Sequence, residues 1–311
     1  SSAQLAAAGV LAVQLLLALP ASSQSWSAKF ESQSANLTNA TSTIRIAAIR
    51  ALAQLDDEEI IAAVPLIAER LRDEDPKVRI VAARVLGRLG ELAREAVTDI
   101  GQALDDGQYA VTVIDDGVQF QSVAMSAAAA LADLGPNAPA ALKDLLRALK
   151  SNDARLRAAA AKAIGYMGGA ASQANSALVS ALSDPSAETR FEAALALGQI
   201  GPLPVPAVTA LKNSLTDMGT FVEALSSGAE VVGSVRVAAA EALLNLNQRH
   251  LDVIKRHGGE IRQSEEEPEL PWLAGRRLRL AVDETDIRDL IAVVLMANQM
   301  TVSFRRDIEG Y

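Results

Sequence analysis

The sequence predicts an all-α fold, a right-handed solenoid of about six helical pairs with a small β-α-β segment at its C-terminal end. Two observations carry this: one phrase recurs at a near-constant interval along most of the chain, and the apolar residues are chiefly alanine and leucine. Only five Phe, three Tyr and two Trp occur in 311 residues, so the core is aliphatic and suits closely packed helices over a sheet or an aromatic pocket. At 50% hydrophobic and 22% charged, the composition is that of a folded chain. The net charge of −9, from 38 acidic and 29 basic residues, offers no field to attract nucleic acid, so no nucleic-acid partner is expected. Cysteine is absent, which excludes disulfides, thiolate metal sites and a thiol nucleophile.

The phrase is an acidic or turn residue, an apolar residue, Arg, two small residues, then Leu or Ile with Gly. It reads DPKVRIVAARVLGRLG from Asp75 to Gly90, NDARLRAAAAKAIGYMG from Asn152 to Gly168, and DPSAETRFEAALALGQIG from Asp184 to Gly201. Weaker copies begin at Thr43, Gln121 and Ser234. The equivalent Arg falls at Arg45, Arg79, Arg157, Arg190 and Arg236, and the third copy has Ala124 there. Successive intervals are therefore 34, 45, 33, 33 and 46 residues.

Each copy reads as the second helix of a pair, because an amphipathic stretch precedes it, such as Glu58 to Asp73 or Asn137 to Ser151. The Asp-Pro steps at Asp75 and Asp184 suit a helix start, since Asp caps free N–H groups and Pro is tolerated in the first turn. Gly90, Gly135, Gly168 and Gly201 are placed to end the second helices. Small mid-helix residues such as Ala82, Ala83, Ala160 and Ala193 let neighbouring backbones approach.

With these motifs, residues 43–257 resemble HEAT repeats, especially the short bacterial type also seen in phycobilin lyases. The resemblance implies a ladder of hydrogen bonds between repeats, made by Asp75, Arg79, Asp153, Arg157, Asp184, Arg190 and Arg236. These are structural positions, not ligand sites.

The two long intervals place extra residues between the first and second helix of a pair, at 105–120 and 217–234. In the first, Tyr-Ala-Val-Thr-Val-Ile, Asp-Asp-Gly and Val-Gln-Phe read as a β-hairpin. The second, with FVEALSSG, reads as one helical turn ended by Gly228. Three repeats separate them, or roughly 30 Å at about 10 Å per repeat. Tyr109, Val111, Val113, Phe120, Phe221 and Val222 are the candidate partner-binding residues, as apolar side chains on exposed loops.

The ends differ from the array. Residues 1–23 carry an uncharged apolar run, a signal or anchor core, a capping helix of the solenoid, or an artefact; residues 3–19 are the candidate membrane contact. Residues 24–42, rich in Ser and Thr, are expected to form a tether. After an acidic Pro/Gly linker at 258–275, residues 276–311 read as strand, helix, strand. That segment resembles the opening of the short N-terminal domain of secretins and TonB-dependent receptors, with Asp286, Leu290, Val302, Phe304, Asp307 and Gly310 matching its pattern. The resemblance implies a periplasmic, extracytoplasmic setting.

No fingerprint of catalysis, phosphate binding or dinucleotide binding occurs. His250 and His257 are too far apart in sequence to share a metal from one helix, and Asp105, Asp106, Asp115 and Asp116 lack the order of a calcium loop. The expectation is a non-enzymatic interaction scaffold of the bacterial envelope, without cofactor or metal, binding protein partners in an envelope or membrane complex. The alternatives are a structural subunit of a membrane complex anchored by its N-terminal helix, and a phycobilin-lyase-like enzyme or chaperone.

Overall fold

A computed structural model describes residues 26–114, 117–224 and 230–256. They form twelve α-helices in six consecutive pairs: α1 (Ala28–Asn36) with α2 (Ser42–Leu52), α3 (Asp57–Glu69) with α4 (Pro76–Arg88), α5 (Val97–Gln102) with α6 (Val123–Leu134), α7 (Leu142–Ala148) with α8 (Ala154–Tyr166), α9 (Asn175–Ala181) with α10 (Ala187–Ile200), and α11 (Val205–Ser214) with α12 (Val235–Arg256). Each second helix packs on the second helix of the next pair, from α2 through α12, so the even-numbered helices form one continuous layer. The first helices and the 3-10 turns leading into them form the other. The fold is an all-α solenoid whose core is the seam between the layers.

The second helices stack closely because their facing residues are small. Ala82, Ala83, Ala160, Ala193 and Ala194 are fully buried, while Ala159 is half-buried. At the tightest points glycine is required: a Cβ on Gly87 would lie 2.6 Å from Ala130 Cα, and one on Gly198 equally close to Ala242 Cα. Gly90, Gly135, Gly168 and Gly201 have positive φ and end α4, α6, α8 and α10.

Three sequence expectations change here. Residues 24–42 hold the first helix of the first pair: Ser27 caps α1, Phe30 and Leu37 are buried, and Trp26 stacks on Phe30 at 4.9 Å. The rest of the helix is polar apart from Ala28 and Ala35, and Phe30 is its one buried side chain, which made the segment read as a tether. The N-cap of α10 is Ser186, whose hydroxyl accepts from Thr189 N–H, so the cap lies two residues beyond Asp184.

The third change is the second insertion. It is a β-hairpin, β3 (Thr220–Ala224) antiparallel to β4 (Glu230–Ser234), built like the first, β1 (Tyr109–Ile114) with β2 (Gly117–Ser122). Phe221 decides this: its ring stands edge-on to Phe191 of α10, centroids 5.1 Å apart, and lies over Gly233 on the opposite strand. The apolar segment at residues 4–19 and the secretin-like segment at 276–311 lie outside the described residues. Among the described residues no helix is long and apolar enough to cross a membrane.

Candidate functional site

Four rungs tie successive pairs together. Arg45 donates from Nε and Nη2 to the two carboxylate oxygens of Asp73 at 2.8 and 2.7 Å, Arg157 does so to Asp184 at 2.8 and 2.8 Å, and Arg190 to Asp217 at 2.6 and 3.1 Å. Arg79 divides its fork between Asp106 at 2.7 Å and Gln108 Oε1 at 2.9 Å. Each arginine also turns Nη1 back onto two carbonyls five and six residues earlier; for Arg157 these are Asn152 and Ser151. The guanidinium thus closes the loop of its own repeat while gripping the next. All four arginines are largely buried, and this dense bonding is what makes burial of the charge tolerable.

The acceptors are not all those expected from the sequence. Asp75 and Asp153 are helix caps: their carboxylates accept from the N–H of Lys77 and Arg155. Both reach the previous repeat, Asp75 through Ser42 and Asp153 through the Tyr109 hydroxyl, but neither takes the fork of an arginine there. The rung acceptor sits six residues before the arginine of its own repeat, at Asp73 and Asp184, or at the root of the hairpin, at Asp106 and Asp217. Arg236 donates from Nη1 to Met218 Sδ at 3.3 Å.

These bonds shift the carboxylates. For Asp217, the hydrogen bonds from Arg190 hold the carboxyl below its ordinary range against the opposing effect of burial. Burial pushes Asp184 upward, but Arg157 and the Ser186 N–H outweigh it and the net shift is again downward. Arg45, Arg157 and Arg190 are held more strongly protonated by their bonded aspartates.

Among the described residues, the junction between the third and fourth pairs is the one without a rung. Ala124 stands where the arginine belongs, and Ser151 where the aspartate belongs. Two exposed contacts bridge it: Arg147 with Asp105 at 3.0 and 2.8 Å, and Tyr109 Oη with Asp153 Oδ2 at 3.3 Å. Asp105 and Asp106 are thereby each engaged by an arginine. Beside them, a cleft of ≈ 770 Å³ between the second and third pairs is lined by Leu71, Arg72, Asp99 and Gln102 together with rung residues. Arg72 bonds Asp99 and Gln102 across it, at 2.7 and 2.8 Å.

Both hairpins leave the solenoid on the same edge, between the helices of a pair, and both are closed at the root by a backbone bond: Val123 N–H to Gln108 O at 2.9 Å, and Val235 N–H to Gly219 O at 3.1 Å. One face of each packs inward. Ala110 is buried, and Phe221 is half-buried against Phe191, so Phe221 is an internal anchor of its hairpin and not the exposed contact expected from the sequence. The other face is exposed and apolar: Tyr109 and Val111 are 46% and 51% exposed, Val222 and Val232 60% and 65%. Val111 pairs across the strands with Phe120, and Val222 with Val232. The side chains of Val113 and Phe120 lie outside the described residues. Val232 was missed because the second hairpin was read as a helical turn.

The sequence matches the family of HEAT repeats over residues 34–114 and 142–224, together more than half of the chain. The chain belongs to the HEAT-repeat family. Its fold is similar to several solved structures. An engineered protein is 23% identical, with 70% of this chain and 96% of that one covered and a TM-score of 0.46. A designed armadillo repeat protein, solved with the peptide (KR)4, is 18% identical over 71% of this chain and all of its own, with a TM-score of 0.47. The complex of CpcE and CpcF of phycocyanin lyase from Nostoc sp. PCC7120 is 22% identical over 59% of this chain and 99% of that one, with a TM-score of 0.40. No curated protein matches the chain.

Proposed function

We propose that this HEAT-repeat chain is a non-enzymatic scaffold that binds a protein partner through its two hairpins, in the bacterial envelope. The observation that carries the binding surface is the exposed apolar face of each hairpin, Tyr109 and Val111 on one and Val222 and Val232 on the other. Exposed aliphatic and aromatic side chains on projecting arms cost solubility and serve well as interface anchors. The stacked helices hold the core without these tips, so the arms are free to be shaped by binding. The envelope setting rests on the apolar segment at residues 4–19 and the secretin-like pattern at 276–311.

The test removes the arm tips and leaves their roots. Residues 110–121 are replaced by Asn-Gly between the cross-strand partners Tyr109 and Ser122, together with Tyr109→Ser, and 222–232 are replaced in the same way between Phe221 and Gly233, so that Val111, Val222 and Val232 are removed with the arms. Helicity and melting should stay near those of the parent, while co-isolation with the native partner from bacterial membranes is lost. Undiminished co-isolation would move the contact to the helical layers. A visible absorbance shift on mixing the chain with a bilin would favour the lyase-like reading instead.

A further inference from the structure

From the spacing of its parts, we infer that the solenoid is two copies of one three-pair unit, and that its two hairpins are equivalent docking arms for a partner presenting the same element twice: an extended, aliphatic segment flanked by Lys or Arg. This rests on the reading of the hairpins as the partner surface and says what they take.

The duplication is visible residue by residue. Arg79 and Arg190 are 111 positions apart, as are their acceptors Asp106 and Asp217, the preceding acceptors Asp73 and Asp184, the close-approach glycines Gly87 and Gly198, and the helix-ending Gly90 and Gly201. Arg45 and Arg157 are 112 apart, and so are Ser122 and Ser234, which end the two hairpins. Both matched family segments, 34–114 and 142–224, run through to the last residue of the first strand of a hairpin. The junction without a rung falls between the two units. A ladder that breaks once, at the boundary of a duplicated block, is what joining two pre-formed blocks would leave.

The arms correspond in the same way. The third residue of the first strand, Val111 or Val222, faces outward and pairs with the third residue from the end of the second, Phe120 or Val232. The second residue, Ala110 or Phe221, faces the helices. Each arm is a two-stranded sheet, so its outer strand edges are available to an added strand, and Val111, Val222 and Val232 are well exposed beside them. Charge specifies the rest. The carboxylates of Asp105, Asp106 and Asp217 are already taken by Arg147, Arg79 and Arg190; beyond them residues 105–122 contain Asp115 and Asp116, residues 217–234 contain Glu223 and Glu230, and neither stretch contains Lys or Arg. An apolar pair on an anionic arm is complementary to an apolar segment with cationic flanks. Two such arms roughly 30 Å apart favour a partner with two such segments, a symmetric dimer or a tandem repeat, because the second contact is then intramolecular.

The test uses the full chain and defined peptides. Lys-Val-Ile-Val-Lys is titrated as a single copy and as two copies joined by about thirty Gly/Ser residues, a flexible linker whose mean span is near 30 Å. Calorimetry should give two equivalents of the single peptide, one equivalent of the tandem peptide, and at least tenfold tighter binding for the tandem. Glu-Val-Ile-Val-Glu should bind at least tenfold more weakly than its lysine counterpart. The variants Val111→Lys and Val222→Lys with Val232→Lys, at exposed positions, should each leave one equivalent of the single peptide and cancel the tandem advantage. Methyl NMR of Val111, Val222 and Val232 reports each arm directly. One equivalent only, no tandem advantage, equal affinity for the acidic peptide, or no binding at all overturns the inference. Loss of the native partner on trimming the arms, alongside failure of the peptides, would leave the scaffold reading standing and remove this chemistry.

Discussion

The phenol of Tyr109 reaches across to the carboxylate of Asp153, 3.3 Å away, at the junction where Ala124 and Ser151 have replaced the arginine and aspartate of a rung. This contact is exposed, as is the neighbouring Arg147–Asp105 pair, and exposed polar contacts contribute little. Tyr109→Phe should therefore cost less than about 1 kcal/mol in denaturant unfolding.

Arg157→Ala should cost much more, about 2–4 kcal/mol, because it strips both bonds from a carboxylate that is itself largely buried. In a repeat array the damage stays near its source. Hydrogen exchange should accelerate in α8 and α10 and change little in α2 and α4. Uniform acceleration along the chain would mean that the missing rung does not insulate the two halves.

Caps and rung acceptors are separable by mutation. Asp75→Ala and Asp153→Ala each remove a helix cap and should cost about 1 kcal/mol. Asp217→Ala leaves the buried fork of Arg190 without its acceptor and should lower thermal stability by a clearly larger amount, about 2–4 kcal/mol. Equal effects at Asp153 and Asp217 would contradict the assignment.

Acid should unfold the array through its rungs. Asp184 and Asp217 are held below the ordinary aspartate value of 3.8, so the unfolded chain takes up protons first as pH falls. Their contribution is complete above that value and is lost as pH drops through the lower folded-state values. Melting temperature should be insensitive to these groups between about pH 5 and 7 and fall below about pH 4. Asp184→Asn should flatten that acid limb.

Gly87→Ala and Gly198→Ala should each destabilise by about 1–3 kcal/mol despite the helix propensity of alanine, since the new methyl meets the backbone of the adjacent helix. Gly107→Ala, with nothing within 4 Å of its added Cβ, is the neutral control for crowding.

The arginines were legible in the sequence because they lie inside a helix at a fixed distance from its cap: Asp75 to Arg79, Asp153 to Arg157 and Ser186 to Arg190. Of their acceptors Asp184 was legible as well; Asp73 and Asp106 were not, because a second aspartate stands close to each in its loop, and Asp217 was not, because it lies at the root of the second insertion, 27 residues beyond Arg190. The first hairpin announced itself through alternating β-branched residues around Asp-Asp-Gly. The second did not, since Glu223, Ala224 and Leu225 are good helix formers and only the long-range contact of Phe221 with Phe191 overrides them. Helix α1 was hidden for the opposite reason: Phe30 is its one buried side chain, too little for a periodic signal.

The closed roots of the hairpins bear on protein engineering. Because Gln108 meets Val123, and Gly219 meets Val235, through a backbone hydrogen bond, each loop enters and leaves the helical stack at two points already held side by side. A foreign sequence spliced above those points would begin with its ends registered and its chain-closure entropy largely met. The molecule thus offers two ready graft positions on one solenoid, three helical pairs apart, for displaying a pair of epitopes or binding loops.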